Sequence, residues 1–160
     1  TSRGLGDVYK RQVSMSLTQK KVLNIEDHKV IKVLEKPFTR QILNVFDKNP
    51  LTASEIAKAM DEARGGYFKN VPNSYPSSAW YTYDDKTCNY SCQITEYTYW
   101  ALTSILGAQE FPGRLEEIQH EWRLNTKEKV KNGDQLVYSL LTDPKFKFPT
   151  NLPNGRYRLD

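Results

Sequence analysis

QITEYTYWALTSILGA, residues 93–108, decides the fold. Ile94, Tyr97, Ala101, Ile105 and Ala108 fall on one stripe at helical spacing, Leu102 widens it and Trp100 flanks it. Almost every turn is apolar, so the pattern predicts a central, mostly buried helix from Gln93 to Ala108. One residue fits that burial badly. Glu96 shares its face with Trp100, Thr103 and Gly107, with Tyr99 beside it. A carboxylate there needs a cation, a metal or tyrosine hydroxyls as partner. Two outcomes stay open: a satisfied buried Glu, or a metal ligand or general acid/base.

The stretch just upstream is as dense. WYTYDDKTCNYSC, residues 80–92, holds both cysteines, and seven of the ten tyrosines lie between Tyr67 and Tyr99. Residues 67–92, broken by Pro72 and Pro76, read as one long loop, and loops of that length are functional or pinned in place. Cys88 and Cys92 form a C-x3-C pair. A local disulfide stapling the loop to the next helix is the preferred reading; zinc ligation, with two further donors, and free buried thiols are the alternatives. Asp84-Asp85, with loop carbonyls nearby, suits a hard cation such as calcium, although capping or solvation is the commoner fate of such a pair.

Further upstream, FTRQILNVF, residues 38–46, predicts a short helix burying Phe38, Ile42, Leu43 and Phe46, broken at Asn49-Pro50. Thr52-Ala53-Ser54-Glu55 reads as a capping box opening a helix to about Ala63, with Ile56, Ala59, Met60 and Ala63 inward and Gly65-Gly66 as the stop. Residues 17–36 mix strand and helix periods. Downstream, Leu115, Ile118 and Trp122 lie on the inward face of a helix, and Asn125 caps a short turn. Gly133-Asp134 starts a helix over Gln135 to Leu141. Asp143-Pro144 ends it, and a strap follows whose Phe146, Phe148, Leu152 and Tyr157 cover core edges. The fold class expected is mainly α: a single-domain helical array with a long aromatic loop and an extended C-terminal tail.

The first twelve residues, TSRGLGDVYKRQ, have no periodicity and resemble a translated sequencing-adaptor artefact, so they are set aside from the fold. The expectation is that residues 13–160 are one domain, the C-terminal part of a longer protein. The leader carries net +2 of the formal +4. Residues 13–60 carry eight basic and five acidic residues, residues 61–110 three and six, and residues 111–160 nine and seven. The aromatic middle is therefore the acidic part, which disfavours nucleic acid as its partner. No run is apolar enough for a membrane span.

Two motifs fall short of a function. Residues 38–60 are similar to the first two helices of a winged helix-turn-helix. A basic third helix is required, but DEARGGYFKNVPNSYP follows, so two packed structural helices are the better reading. His120-Glu121-Trp122-Arg123-Leu124 misses the zinc signature H-E-x-x-H because Leu124 stands at the second ligand position. His120 is read as a surface or boundary residue.

The run MDEARGGYFKNVPNSYPSSAWYTYDDKTCNYSCQITEYTYWALTSILGAQ, with EWRLNTKEKV and LLTDPKFKFPTNLPNG after it, resembles the C-terminal half of a secreted family common in marine microbial and protist sequences. Its mark is a Cys-flanked tyrosine loop leading into a Glu-Tyr-x-Tyr-Trp helix. The likeness covers about residues 45–157. It implies an extracellular protein whose relatives carry a metallopeptidase-like acidic helix further upstream; on the plan of gluzincin zinc peptidases, Glu96 would match the later zinc-ligand Glu. This chain departs from that plan: residues 13–40 contain no H-E-x-x-H, only His28. The expected function is a non-catalytic extracellular structural or interaction domain, whose partner is an extracellular protein or an upstream domain of the same chain. The alternative is part of a secreted metallopeptidase-like protein with Glu96 as ligand and Tyr97 or Tyr99 as oxyanion or carboxylate partner. A helix-turn-helix DNA-binding protein is a distant third. The cofactors considered are zinc, and calcium at Asp84-Asp85.

Overall fold

The computed structural model describes residues 39–152. The leader, residues 17–36, His28, Phe38 and Tyr157 lie outside them. Helix α1 covers residues 39–48 and α2 spans Pro50–Ala63. Helix α3 is Tyr90–Ile105, α4 is Arg114–Ile118, α5 is Lys127–Gly133 and α6 is Gln135–Thr142. A 3-10 turn at Pro144–Phe146 leads into the strap. Among the described residues the fold is mainly α, and an isolated bridge between Tyr81 and Trp122 stands in place of any strand.

Helix α3 is the axis, with α2, α5 and α6 packed against it and α6 also against α2. Eleven of its residues are buried, from Gln93 to Ile105. At roughly 1.5–3 kcal/mol for each large apolar side chain removed from water, this helix dominates the core. It begins three residues earlier than the apolar stripe indicates, because the Asn89 side chain accepts from the Cys92 N–H and caps it. It ends at Ile105, with Gly107 at φ +80° closing the turn: the Ala108 N–H returns to Thr103 O and the Gly107 N–H to Ser104 O.

Helix α2 ends the same way. Gly66 N–H bonds Asp61 O, Gly65 N–H bonds Glu62 O, and Gly65 stands at φ +76°. Its start differs from the capping-box reading. Asn49 occupies the N-cap position without a side-chain bond, and Pro50 is the first helical residue. Proline's preset φ and missing N–H suit that place, so the helix begins earlier and Thr52 becomes a buried residue of the first turn. In α1, Ile42 and Val45 are buried and Leu43 is 44% exposed, so the buried face is turned by about half a helical step from the expected one.

Trp122 is buried not on a helix but through the Tyr81 bridge, because α4 stops at Ile118. Thr126, not Asn125, caps α5, accepting from the Lys129 N–H. Asn125 is buried, donating to Gln109 O. Phe146 and Phe148 cover the core as expected, while Leu152 remains 39% exposed. After α2 the next helix is α3, which has no Lys or Arg and lies buried, so no basic recognition helix follows the first two. No helix of the described residues is long and apolar enough to cross a membrane.

Candidate functional site

The loop between α2 and α3, residues 67–89, is fastened along its length. At its base the Gly65 turn lies against Pro76. Midway, Trp80 N–H bonds Ala63 O, Thr82 N–H bonds Glu121 O and Arg123 N–H bonds Trp80 O. Near its end the exposed Lys86 side chain folds back along the loop, donating to Val71 O at 3.1 Å, Pro72 O at 2.7 Å and Asn73 Oδ1 at 3.2 Å. Cys88 and Cys92 form a disulfide, joining the loop to the first turn of α3. Its five-residue ring fixes local geometry more than it limits the unfolded chain.

Two buried polar assemblies tie this loop to the core. In the first, Arg64 is fully buried, paired with Asp61 and donating to Gln93 Oε1 at 2.6 Å. Gln93 Nε2 donates onward to Cys88 O, so the arginine at the end of α2 holds the disulfide loop through one amide. Phe68 and Tyr90 stack against the guanidinium, and the Tyr90 hydroxyl donates to Asp61 Oδ2 at 2.8 Å. Burial, then that bond, holds the Tyr90 phenol above its usual range.

In the second, Asp134 is the hub. Trp80 Nε1 donates to its Oδ2 at 2.9 Å, the Tyr97 hydroxyl donates to the same oxygen at 2.5 Å, and the Val137 N–H donates to Oδ1. Burial raises the Asp134 carboxyl above its ordinary value, and the three donors oppose that rise. Tyr97 is therefore a carboxylate partner, but to Asp134 and at 0% exposure. Tyr99 is also buried, edge-on to Trp100. The structure places both tyrosines in the packed core, away from solvent.

Glu96 is 8% exposed. Together with desolvation, its negative charge pushes the Tyr81 and Tyr83 phenols up. The rings of Tyr81, Tyr83, Tyr97 and Trp122 form a contiguous cluster, with centroids 5.2–6.5 Å apart. Tyr81 donates from that cluster to Gln93 O.

Above the cluster opens a cleft of about 220 Å³, walled by Tyr75, Tyr83, Asp84, Lys86, His120 and Glu121. Glu121 is 3% exposed, with His120 Nε2 3.8 Å from its carboxylate. Asp84 thus faces the cleft. Asp85 is not among the lining residues; its Oδ1 accepts from the Thr87 hydroxyl and N–H, bonds that hold its carboxyl below the ordinary value. Among the described residues no three His, Cys, Asp or Glu side chains gather as a metal site.

Arg64, Gln93, Lys86 and Asp134 carry this architecture without belonging to any motif, and Glu121 enters only through the incomplete H-E-x-x-H match. Only Asp134 gives a sequence signal, as the helix cap after Gly133. Comparison with protein-family models, with curated proteins and with solved structures returned no match.

Proposed function

We propose that this chain is a non-catalytic extracellular interaction domain, whose pinned loop offers the Tyr75–Tyr83 cleft to a cationic side chain of a protein partner. The observation that carries this reading is the exposed Asp84 carboxylate beside the Tyr75 and Tyr83 rings in the cleft, with the Lys86 side chain held back by Val71 O, Pro72 O and Asn73 Oδ1 of the same loop. Carboxylates beside aromatic faces favour an ammonium or guanidinium group. A volume near 220 Å³ lies below the roughly 300–1,000 Å³ of small-molecule pockets and suits one inserted side chain. A loop fastened before binding loses little conformational freedom when it binds, and the disulfide supports an oxidising, extracellular setting.

Titration of the labelled chain with acetylated arginine amide, followed by NMR, tests the reading. Saturable shifts confined to Thr82, Tyr83, Asp84 and His120, weakened by Asp84→Asn, are expected. Uniform or absent shifts would sink it.

Glu96 supports a second reading, a metallopeptidase-like site completed by ligands outside the described residues, because it is a nearly buried carboxylate amid tyrosines. Elemental analysis separates the two. Stoichiometric zinc that disappears in Glu96→Gln would replace the interaction reading with the metal one.

A further inference from the structure

A second concavity, on the opposite chemistry, lies between α1 and the C-terminal strap. It measures about 430 Å³, within the range of pockets that hold small molecules. Val45 and Phe146 of its lining are buried, and behind them α1 packs on the strap through buried Ile42 and Phe148, with Phe46 meeting Phe148 edge to face at 6.2 Å. Three lysines, Lys48, Lys145 and Lys147, converge on it, and three carboxamides, Gln41, Asn44 and Asn49, line the α1 side. Among the described residues no carboxylate lines it. Among the described residues the positive charge is answered by Asp143, 3.5 Å from Lys145 Nζ, and Lys48 and Lys147 form no ion pair.

Lys147 adds an independent observation. It stands at φ +57°, the only left-handed non-glycine among the described residues, immediately after the 3-10 turn. Glycine or asparagine would close that turn with less strain, and a strained non-glycine residue points to a use for its side chain. Here that residue is one of three lysines lining the groove.

We propose that this groove binds a phosphate or sulfate monoester carried on a hydroxylated body. The lysines would meet the oxyanion, the carboxamides the hydroxyls, and Val45 with Phe146 and Pro149 would supply the apolar floor. Lys145 would turn from Asp143 and its seat over the Phe146 ring, 4.4 Å away, toward the anion.

The test is calorimetric titration of the full chain with galactose phosphate and, separately, galactose sulfate, with galactose as the neutral control. Saturable binding of either ester, weakening as salt is raised and absent for galactose, is expected. Lys147→Gly and Lys48→Gln should each lower affinity about tenfold, as loss of one charge-assisted hydrogen bond implies. Lys147→Gly should do so without lowering Tm, because glycine relieves the left-handed strain. A tie between esters and galactose, no saturation by either ester, or wild-type affinity in both variants would overturn the proposal.

Discussion

Replacing Gly65 with alanine should cost markedly more stability than replacing Gly107. The two positions are matched: each is the left-handed residue that closes a helix, at φ +76° and +80°. Alanine pays the left-handed penalty of about 1–2 kcal/mol at both, and at both it gains back roughly 0.4–1 kcal/mol from a less free unfolded chain. What separates them is space. A Cβ at Gly107 meets nothing within 4 Å, whereas at Gly65 it falls 2.8, 3.2 and 3.4 Å from three atoms of the Pro76 ring. A closed ring cannot rotate away as a flexible side chain does, so the loop itself must shift, at about 1–3 kcal/mol for such overpacking. Gly107→Ala should therefore cost about 1 kcal/mol and Gly65→Ala about 2–4 kcal/mol. Urea unfolding followed by circular dichroism gives both values, provided the m-value is unchanged. Costs equal within about 0.5 kcal/mol would refute the reasoning, because Pro76 would then be free to move and the loop base would not be rigid.

Asp134 yields a pH prediction. Its folded carboxyl lies above the ordinary 3.8, so the folded chain holds that proton more tightly than the unfolded chain. Its contribution is greatest below that value and is lost as pH rises through the folded one. The stability difference between wild type and Asp134→Asn should thus shrink with rising pH and then level off. A difference that grows instead would mean that the Tyr97, Trp80 and Val137 donors outweigh burial. Replacing Cys88 and Cys92 together by serine should cost about 2 kcal/mol, the chain-entropy value for so short a ring, and a larger loss would show that the disulfide supports more than its own turn. Tyr97→Phe should cost about 1–3 kcal/mol by taking a donor from a buried carboxylate, measured by the same unfolding; no loss would show that Trp80 and Val137 suffice.

Much of this architecture can be read from local signals. The stripe from Ile94 to Ile105, the Gly65-Gly66 stop after Ala63 and the cysteine pair each announce themselves within a few residues, whereas Gly107 ends α3 inside the span that the apolar pattern assigns to the helix. The errors are also local, and their cause is a competing signal: Pro50 overrides Thr52 as the start of α2, and Asn89 extends α3 ahead of its apolar face. The site is less legible because its bonds are long in sequence. Trp80 reaches Asp134 across 54 residues and Tyr97 reaches it across 37, so neither pattern nor spacing joins them. Arg64 carries no local signal of its role, yet Asp61, Gln93 and two rings enclose it completely.

The hub at Asp134 has a spectroscopic consequence. All three tryptophans of the chain surround the loop–helix joint: Trp100 and Trp122 in the core and Trp80 partly exposed, its indole N–H on the Asp134 carboxylate. Tryptophan emission, excited selectively, thus reports on this joint rather than on α1 or the strap. Because the Trp80 indole is bonded to an ionisable group, its emission should follow the charge of Asp134 while the fold stays intact, an optical readout built into the chain.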